Sequence, residues 1–281
     1  MTMRKWQVLA VAGVAGLAIL GGCSNANKPS SGSTTTSGSS SKASGAATTT
    51  TATPSAPKNA ADAEALAAKA LILLQDLPSG WTANGSVQTG LSKTLGSSGS
   101  SQGGQGTGEL DAKAGQCLGG SAKTLLGMNL PEAQSPSFSS PDQKVGVEDS
   151  VDVFPSSSDA DQAVSTFAST RGASCVQTIF SEYAASPPST GTGSSTTSTS
   201  APQVSVNVGP SPGLGDLSGV LTIKFSEGSG GGLSSIELDV TFIAKGPLFS
   251  AVSVSGYSGP PSASVISQAA RAAAGHMDSV A

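Results

Sequence analysis

The stretch SIELDVTFIAK (235–245) sets Ile236, Leu238, Val240 and Phe242 against Glu237, Asp239 and Thr241. Apolar residues at a strict period of two mark a strand, because successive strand side chains point to opposite faces. Gly246-Pro247 turns the chain, and LFSAVSVSGY (248–257) returns with Leu248, Val252 and Val254 on its inner side. Upstream, GVLTIKFSE (219–227) places Leu221, Ile223 and Phe225 opposite Thr222, Lys224 and Ser226, and the glycines of SGGG (229–232) form a flexible turn. Three consecutive strands with short turns predict an antiparallel meander.

The flanking segments supply helices and one more strand. PPSASVISQAARAAAGHM (260–277) predicts a helix that begins after Pro261 and turns Val265, Ile266, Ala269, Ala270 and Ala273 to the sheet. VGVEDSVDVF (145–154) reads as a half-buried strand with Val145, Val147, Val151 and Val153 on one side and Glu148 and Asp152 on the other. PSSSDADQAVSTFASTRG (155–172) follows as a helix. Ser156 to Ser158 offer caps, and Asp159 and Asp161 complement the dipole of the first turn. Ala163, Val164, Phe167 and Ala168 form its buried stripe, with Gly172 as its stop. A further short element holds Val176, Ile179 and Phe180. AADAEALAAKALILL (60–74) predicts a helix, broken by Pro78 and Gly80 of QDLPSGW. The expected architecture is α+β, a single domain of antiparallel sheet with helices packed mainly on one face.

The N-terminus speaks to location. Arg4 and Lys5 precede an apolar run from Val8 to Leu20, about 13 residues where a permanent span needs about 20. A basic start, a short apolar core and a small-residue exit make a secretory signal. The exit, Leu20-Gly21-Gly22-Cys23, resembles the bacterial lipobox. That resemblance implies residues 1–22 as a cleaved lipoprotein signal peptide and Cys23 as the lipid-attachment residue, carrying diacylglycerol and palmitate-type chains. Each buried CH2 contributes about 0.8 kcal/mol, so two or three chains hold a protein on a bilayer where one does not. Residues 23–58 form a Ser/Thr-rich tract without bulky apolar residues, expected to be a disordered tether. The domain then occupies 59–281, with low-complexity insertions near 96–108 and 187–202.

With Cys23 acylated, Cys117 and Cys175 remain, and one disulfide is the default in an oxidising extracytoplasmic compartment. The alternative is a reactive thiol, for which no Cys-x-x-Cys and no clearly placed basic neighbour speaks. Losing Arg4 and Lys5 takes the formal charge from −4 to −6, so nucleic acid is not an expected partner. The one histidine, His276, reads as a solvated surface residue, which leaves no imidazole for a Ser-His-Asp hydrolase. No glycine-rich phosphate loop or zinc-ligand set is present, and no cofactor is expected. Glu148, Asp149 and Asp152 read first as a solvated sheet face and second as hydrolase carboxylates or calcium ligands. Trp81, after the Pro78-Ser79-Gly80 turn, reads as a lid on the core or as one wall of an apolar groove. Tyr183 and Tyr257 carry the same ambiguity.

The order of these elements resembles a known family. DLPSGW after an anchor and tether, a Cys near 117, VEDSVDVFPSSSDADQAVSTFASTRGASC, and VTFIAKGPLFSAVSVSG with an Ala-rich helix are similar to actinobacterial lipoproteins related to the extracellular sensor domain of mycobacterial PknH-type Ser/Thr kinases. The resemblance covers roughly residues 65 to 280. It implies an α+β fold with a groove and a ligand-sensing role, not an enzyme. The expected function is a non-catalytic, lipid-anchored binding or sensor lipoprotein on the extracytoplasmic face of the cell membrane, with an unknown envelope ligand. The alternative is a structural or interaction lipoprotein that assembles with an envelope protein.

Overall fold

The structure, a computed structural model, describes residues 57, 59–92, 116–118, 130–185, 203–226 and 235–281. The signal peptide, Cys23, nearly all of the tether, both low-complexity insertions and the SGGG turn lie outside these residues.

The four predicted strands pair with five that the sequence reading did not anticipate (82–84, 88–92, 130–134, 137–139 and 203–209) as one antiparallel sheet. In chain order they are β1 (Thr82–Asn84), β2 (Gln88–Ser92), β3 (Leu130–Gln134), β4 (Ser137–Ser139), β5 (Val145–Val153), β6 (Gln203–Gly209), β7 (Leu217–Ser226), β8 (Ile236–Lys245) and β9 (Leu248–Gly256). Their spatial order is β1-β4-β5-β9-β8-β7-β6, and β2-β3 joins the same edge of β5. β3 and β4 are successive pieces of one path along β5, interrupted at Ser135-Pro136. There the Ser135 N–H donates to the Asp149 carbonyl and the Asp149 N–H donates to Ser135 Oγ. A proline, which has no N–H to give the ladder, marks such an interruption.

Among the described residues, four helices pack on this sheet: α1 (Ala60–Ala70), α2 (Ser157–Phe167), α3 (Thr170–Ala185) and α4 (Ala263–Val280). Their starts follow ordinary capping chemistry. The Asn59, Ser156 and Ser262 side chains accept from the N–H groups of Asp62, Asp159 and Val265. The α+β class and the single domain are as expected. The placing of the helices is not. α2 and α3 cover one face, packing Ala160, Ala163, Val164, Val176 and Phe180 against Leu221, Ile223, Leu238, Val240 and Phe242. α1 and α4 cover the other, packing Ala63, Ala67, Ala269, Ala273 and Met277 against Val147, Val151, Ile243, Leu248 and Val252.

The register explains this two-sided core. β8 pairs with β9 so that Thr241 faces Val252 and Ile243 faces Ser250, while Phe242 faces Ala251 and Ala244 faces Phe249. The apolar sides of the two strands therefore point to opposite faces, and each face needs a helical cover. Thr241 and Asp239, expected on a polar side, are buried.

Two helix ends also differ from expectation. α1 stops at Ala70, and Leu71 and Ile72 continue as buried extended chain into a 3-10 turn at Leu74–Asp76. Gly172 does not stop α2, which ends at Phe167. It lies in the first turn of α3, where its N–H donates to Ser169 Oγ. A Cβ at Gly172 would meet the carbonyl oxygens of Phe167 and Thr166 at 2.3 and 2.5 Å, so glycine serves the tight corner between two helices. Cys117 and Cys175 form a disulfide with Cα atoms 5.5 Å apart, tying residues 116–118 to α3.

Candidate functional site

On the face that carries α2 and α3, the sheet changes character at β5. Alternation on β5 and the β5–β9 register give this side Gly146, Glu148, Ser150 and Asp152 in place of the valines. β3 brings Glu132 opposite Asp152 and Gln134 opposite Ser150. β4 adds Ser137, which lies one register step from Phe138–Val147 and hydrogen-bonds Glu148. The end of β9 adds Ser253 and Ser255, and Tyr257 follows. A Cβ at Gly146 would meet Ser255 Oγ at 2.7 Å and Tyr257 Oη at 3.0 Å, so a glycine leaves room for the phenol. Ser255 Oγ donates to Tyr257 Oη at 3.0 Å. The result is a polar track along β3 and β5, beside the phenylalanine-rich core of Phe154, Phe242 and Phe249.

The track is acidic and partly buried: Glu132, Ser150 and Ser253 are buried, and Glu148, Asp152 and Tyr257 are half-exposed. Glu132 is 5 % exposed and accepts one side-chain bond, from Gln134 Nε2 at 2.8 Å. Burial pushes its carboxyl up to about 7, against the smaller lowering effect of the Gln134 bond. Burial also raises the Glu148 carboxyl, opposed by Ser137, and the Tyr257 phenol, which further feels the Glu148 charge. Ser150 is 2 % exposed, and its Oγ has no hydrogen-bond partner among the described residues. Glu132 and Asp152 stand directly opposite on neighbouring strands, where two ionised carboxylates would be destabilising.

A second polar cluster lies under α1 and α4, on the opposite face. Asp149, expected to belong to a solvated face, is fully buried among the valines of its own strand. Its Oδ1 accepts from Ser250 Oγ at 2.8 Å and its Oδ2 from the Ile72 N–H at 3.1 Å. Burial raises its carboxyl to about 6, although the Ser250 and Ile72 bonds and the nearby His276 all favour the charge. His276, expected to be solvated, contacts Asp76 Oδ2 at 2.8 Å. Asp76 also accepts the Leu73 N–H through its side chain and the Gln268 amide through its backbone carbonyl. These residues include the types of a hydrolytic triad in a different arrangement. Ser250 donates to Asp149 and His276 meets Asp76, so no serine–imidazole bond is made. The cluster staples the 3-10 turn to the sheet and to α4.

The expected site residues therefore separate. Glu148 and Asp152 share the track. They stand four strand positions apart, about 13 Å along the backbone, beyond the ~5–9.5 Å that glycoside hydrolysis asks of two carboxylates. The solvated-face reading fails for Asp149, which is buried beneath α1 and α4, whereas Glu148 and Asp152 are half-buried on the other face. Trp81 is 8 % exposed in the core cluster of α1 and α4, one residue after Gly80, whose φ of 88° makes the turn. It is on the other side of the sheet from the track. Cys117 and Cys175 are bonded to each other. The Tyr183 side chain and Cys23 lie outside the described residues. Glu132, Gln134, Ser137 and Ser150 carry no motif. Only their register against β5 assembles them.

The fold and site define an open antiparallel α+β domain with an acidic, partly buried track on one face. One solved structure it is similar to is the extracellular domain of PknH from Mycobacterium tuberculosis, at 17% identity, covering 81% of this chain and 97% of that one with a TM-score of 0.38. No protein-family model matches the chain, and no curated protein matches it.

Proposed function

We propose that this protein is a lipid-anchored, extracytoplasmic sensor-type lipoprotein that binds a ligand without transforming it. The observation that carries the binding role is the acidic track. A sheet face that buries Glu132 opposite Asp152 and leaves the Ser150 hydroxyl without a partner among the described residues costs stability. Binding sites routinely carry such a cost. The non-catalytic reading rests on the lone histidine, engaged with Asp76, and on the wide separation of Glu148 and Asp152. The anchor rests on Leu20-Gly21-Gly22-Cys23, and the extracytoplasmic location on the same motif.

Two measurements test this reading. A Cys23→Ala variant expressed in a bacterium with lipoprotein processing is expected to lose palmitate label and leave the membrane fraction. Label retained on the variant would refute the anchor. The purified full-length protein, incubated with cell-envelope extract and washed, is expected to retain a molecule detectable by mass spectrometry that Glu132→Gln retains less. Equal recovery from protein and buffer would refute the sensor role.

A further inference from the structure

We propose that the track over β3 and β5 binds a primary ammonium group of a small organic ligand. This names the ligand chemistry of the sensor reading above and rests on it.

The argument starts from what the track offers. Carboxylates and hydroxyls accept hydrogen bonds, and an ionised carboxylate can do nothing else. Glu132 and Asp152 face each other across the β3–β5 pair, and Glu148 lies farther along the same side. Between them sits the Ser150 hydroxyl, buried and without a partner among the described residues. Gln134 already turns its amide N–H to Glu132. The complement of such a set is a positively charged group with several donors and no acceptor. An ammonium has three donors and no acceptor. Its charge relieves the Glu132–Asp152 opposition, and one of its N–H groups satisfies Ser150 Oγ. A metal ion is a poorer complement, because among the described residues no three Asp, Glu, His or Cys side chains converge as a ligand set. A quaternary ammonium supplies the charge without the donors and leaves Ser150 unsatisfied.

Protonation supplies an independent readout. Among the described residues, the titratable groups on this side of the sheet are Glu132 on β3, Glu148 and Asp152 on β5, and Tyr257 after β9. Burial holds Glu132 at about 7 in the free protein. A cation binds its ionised form, so affinity rises with pH, by about tenfold between pH 6 and pH 8 for one group titrating at the midpoint.

The test is calorimetric titration of the full-length protein in detergent with spermidine, lysine amide and choline. Spermidine and lysine amide are expected to bind saturably, at least tenfold more tightly than choline, and more tightly at pH 8 than at pH 6. Glu132→Gln is expected to weaken them at least tenfold and to flatten the pH profile. Ser150→Ala is expected to weaken them several-fold, while Glu64→Gln on α1 leaves them unchanged. Circular dichroism melts of each variant confirm folding. Choline binding as well as lysine amide, or binding indifferent to Glu132→Gln, overturns the proposal. If no amine binds but a neutral or anionic envelope molecule is retained by the wild type, the ammonium assignment falls and the sensor reading stands. If nothing binds, both fall.

Discussion

Asp149 shows how one residue departs from the pattern around it. Alternation places it among Val147, Val151 and Val153, and the chain accepts a carboxyl there because Ser250 and the Ile72 N–H both donate to it. Burial still wins over these bonds and raises the group from 3.8 to about 6. The sign follows directly. The folded state binds a proton more tightly than the unfolded chain, so this residue destabilises the fold progressively as pH rises from about 4 to above 6, by about 3 kcal/mol at 1.36 kcal/mol per pH unit. Glu132 acts in the same direction up to about 7. Urea denaturation across pH 4 to 8 is expected to show stability falling with pH, and Asp149→Asn to remove the part between 4 and 6. At Gly172 the constraint is steric. Gly172→Ala drives a methyl into two backbone oxygens of the α2–α3 corner and is expected to cost about 2 kcal/mol or more, read as a lowered urea midpoint.

At the scale of elements, the join between α1 and β1 depends on one side chain. Asp76 caps the Leu73 N–H at 2.7 Å and meets His276 of α4 at 2.8 Å. Asp76→Ala is expected to cost about 1–2 kcal/mol, with the Leu73 amide losing hydrogen-exchange protection while β8 amides keep theirs. The start of α2 is simpler. Ser156 accepts the Asp159 N–H and donates to the Asp159 carboxylate, so Ser156→Ala is expected to lower stability by about 1 kcal/mol in the same denaturation assay. The start of α2 was legible beforehand, whereas the helix expected from Ala60 ran on to Leu74, where the 3-10 turn begins. The serines and aspartates before α2 announce a cap from sequence, because capping partners lie three residues apart. Asp76 and His276 lie 200 residues apart, and no local rule connects them.

For the whole molecule, the disulfide and the two-sided core set the stability. Cys117–Cys175 closes a loop with a sequence separation of 58 residues, which in the chain-entropy account contributes about 4 kcal/mol. Reduction under non-denaturing conditions is expected to lower the unfolding free energy by up to that amount, and Cys117→Ser/Cys175→Ser to match the reduced wild type. The strands of the C-terminal meander, the helix after Pro261 and the strand at 145–154 were legible because each depends on a short apolar period in one continuous segment. The same periodicity assigns each strand an inside without saying which face that is. The β8–β9 register made that choice, and with it the need for helices on both faces. The acidic track followed the same rule. Sequence alone indicated the C-terminal meander, the strand at 145–154, the helices that flank them, a disulfide as the default for the two domain cysteines and a lipobox-like start. Only the tertiary structure decided that Glu132 meets Asp152 and that Asp149 lies beneath α1 and α4. Those meetings depend on strand order and register, which are set by packing among segments far apart in the chain.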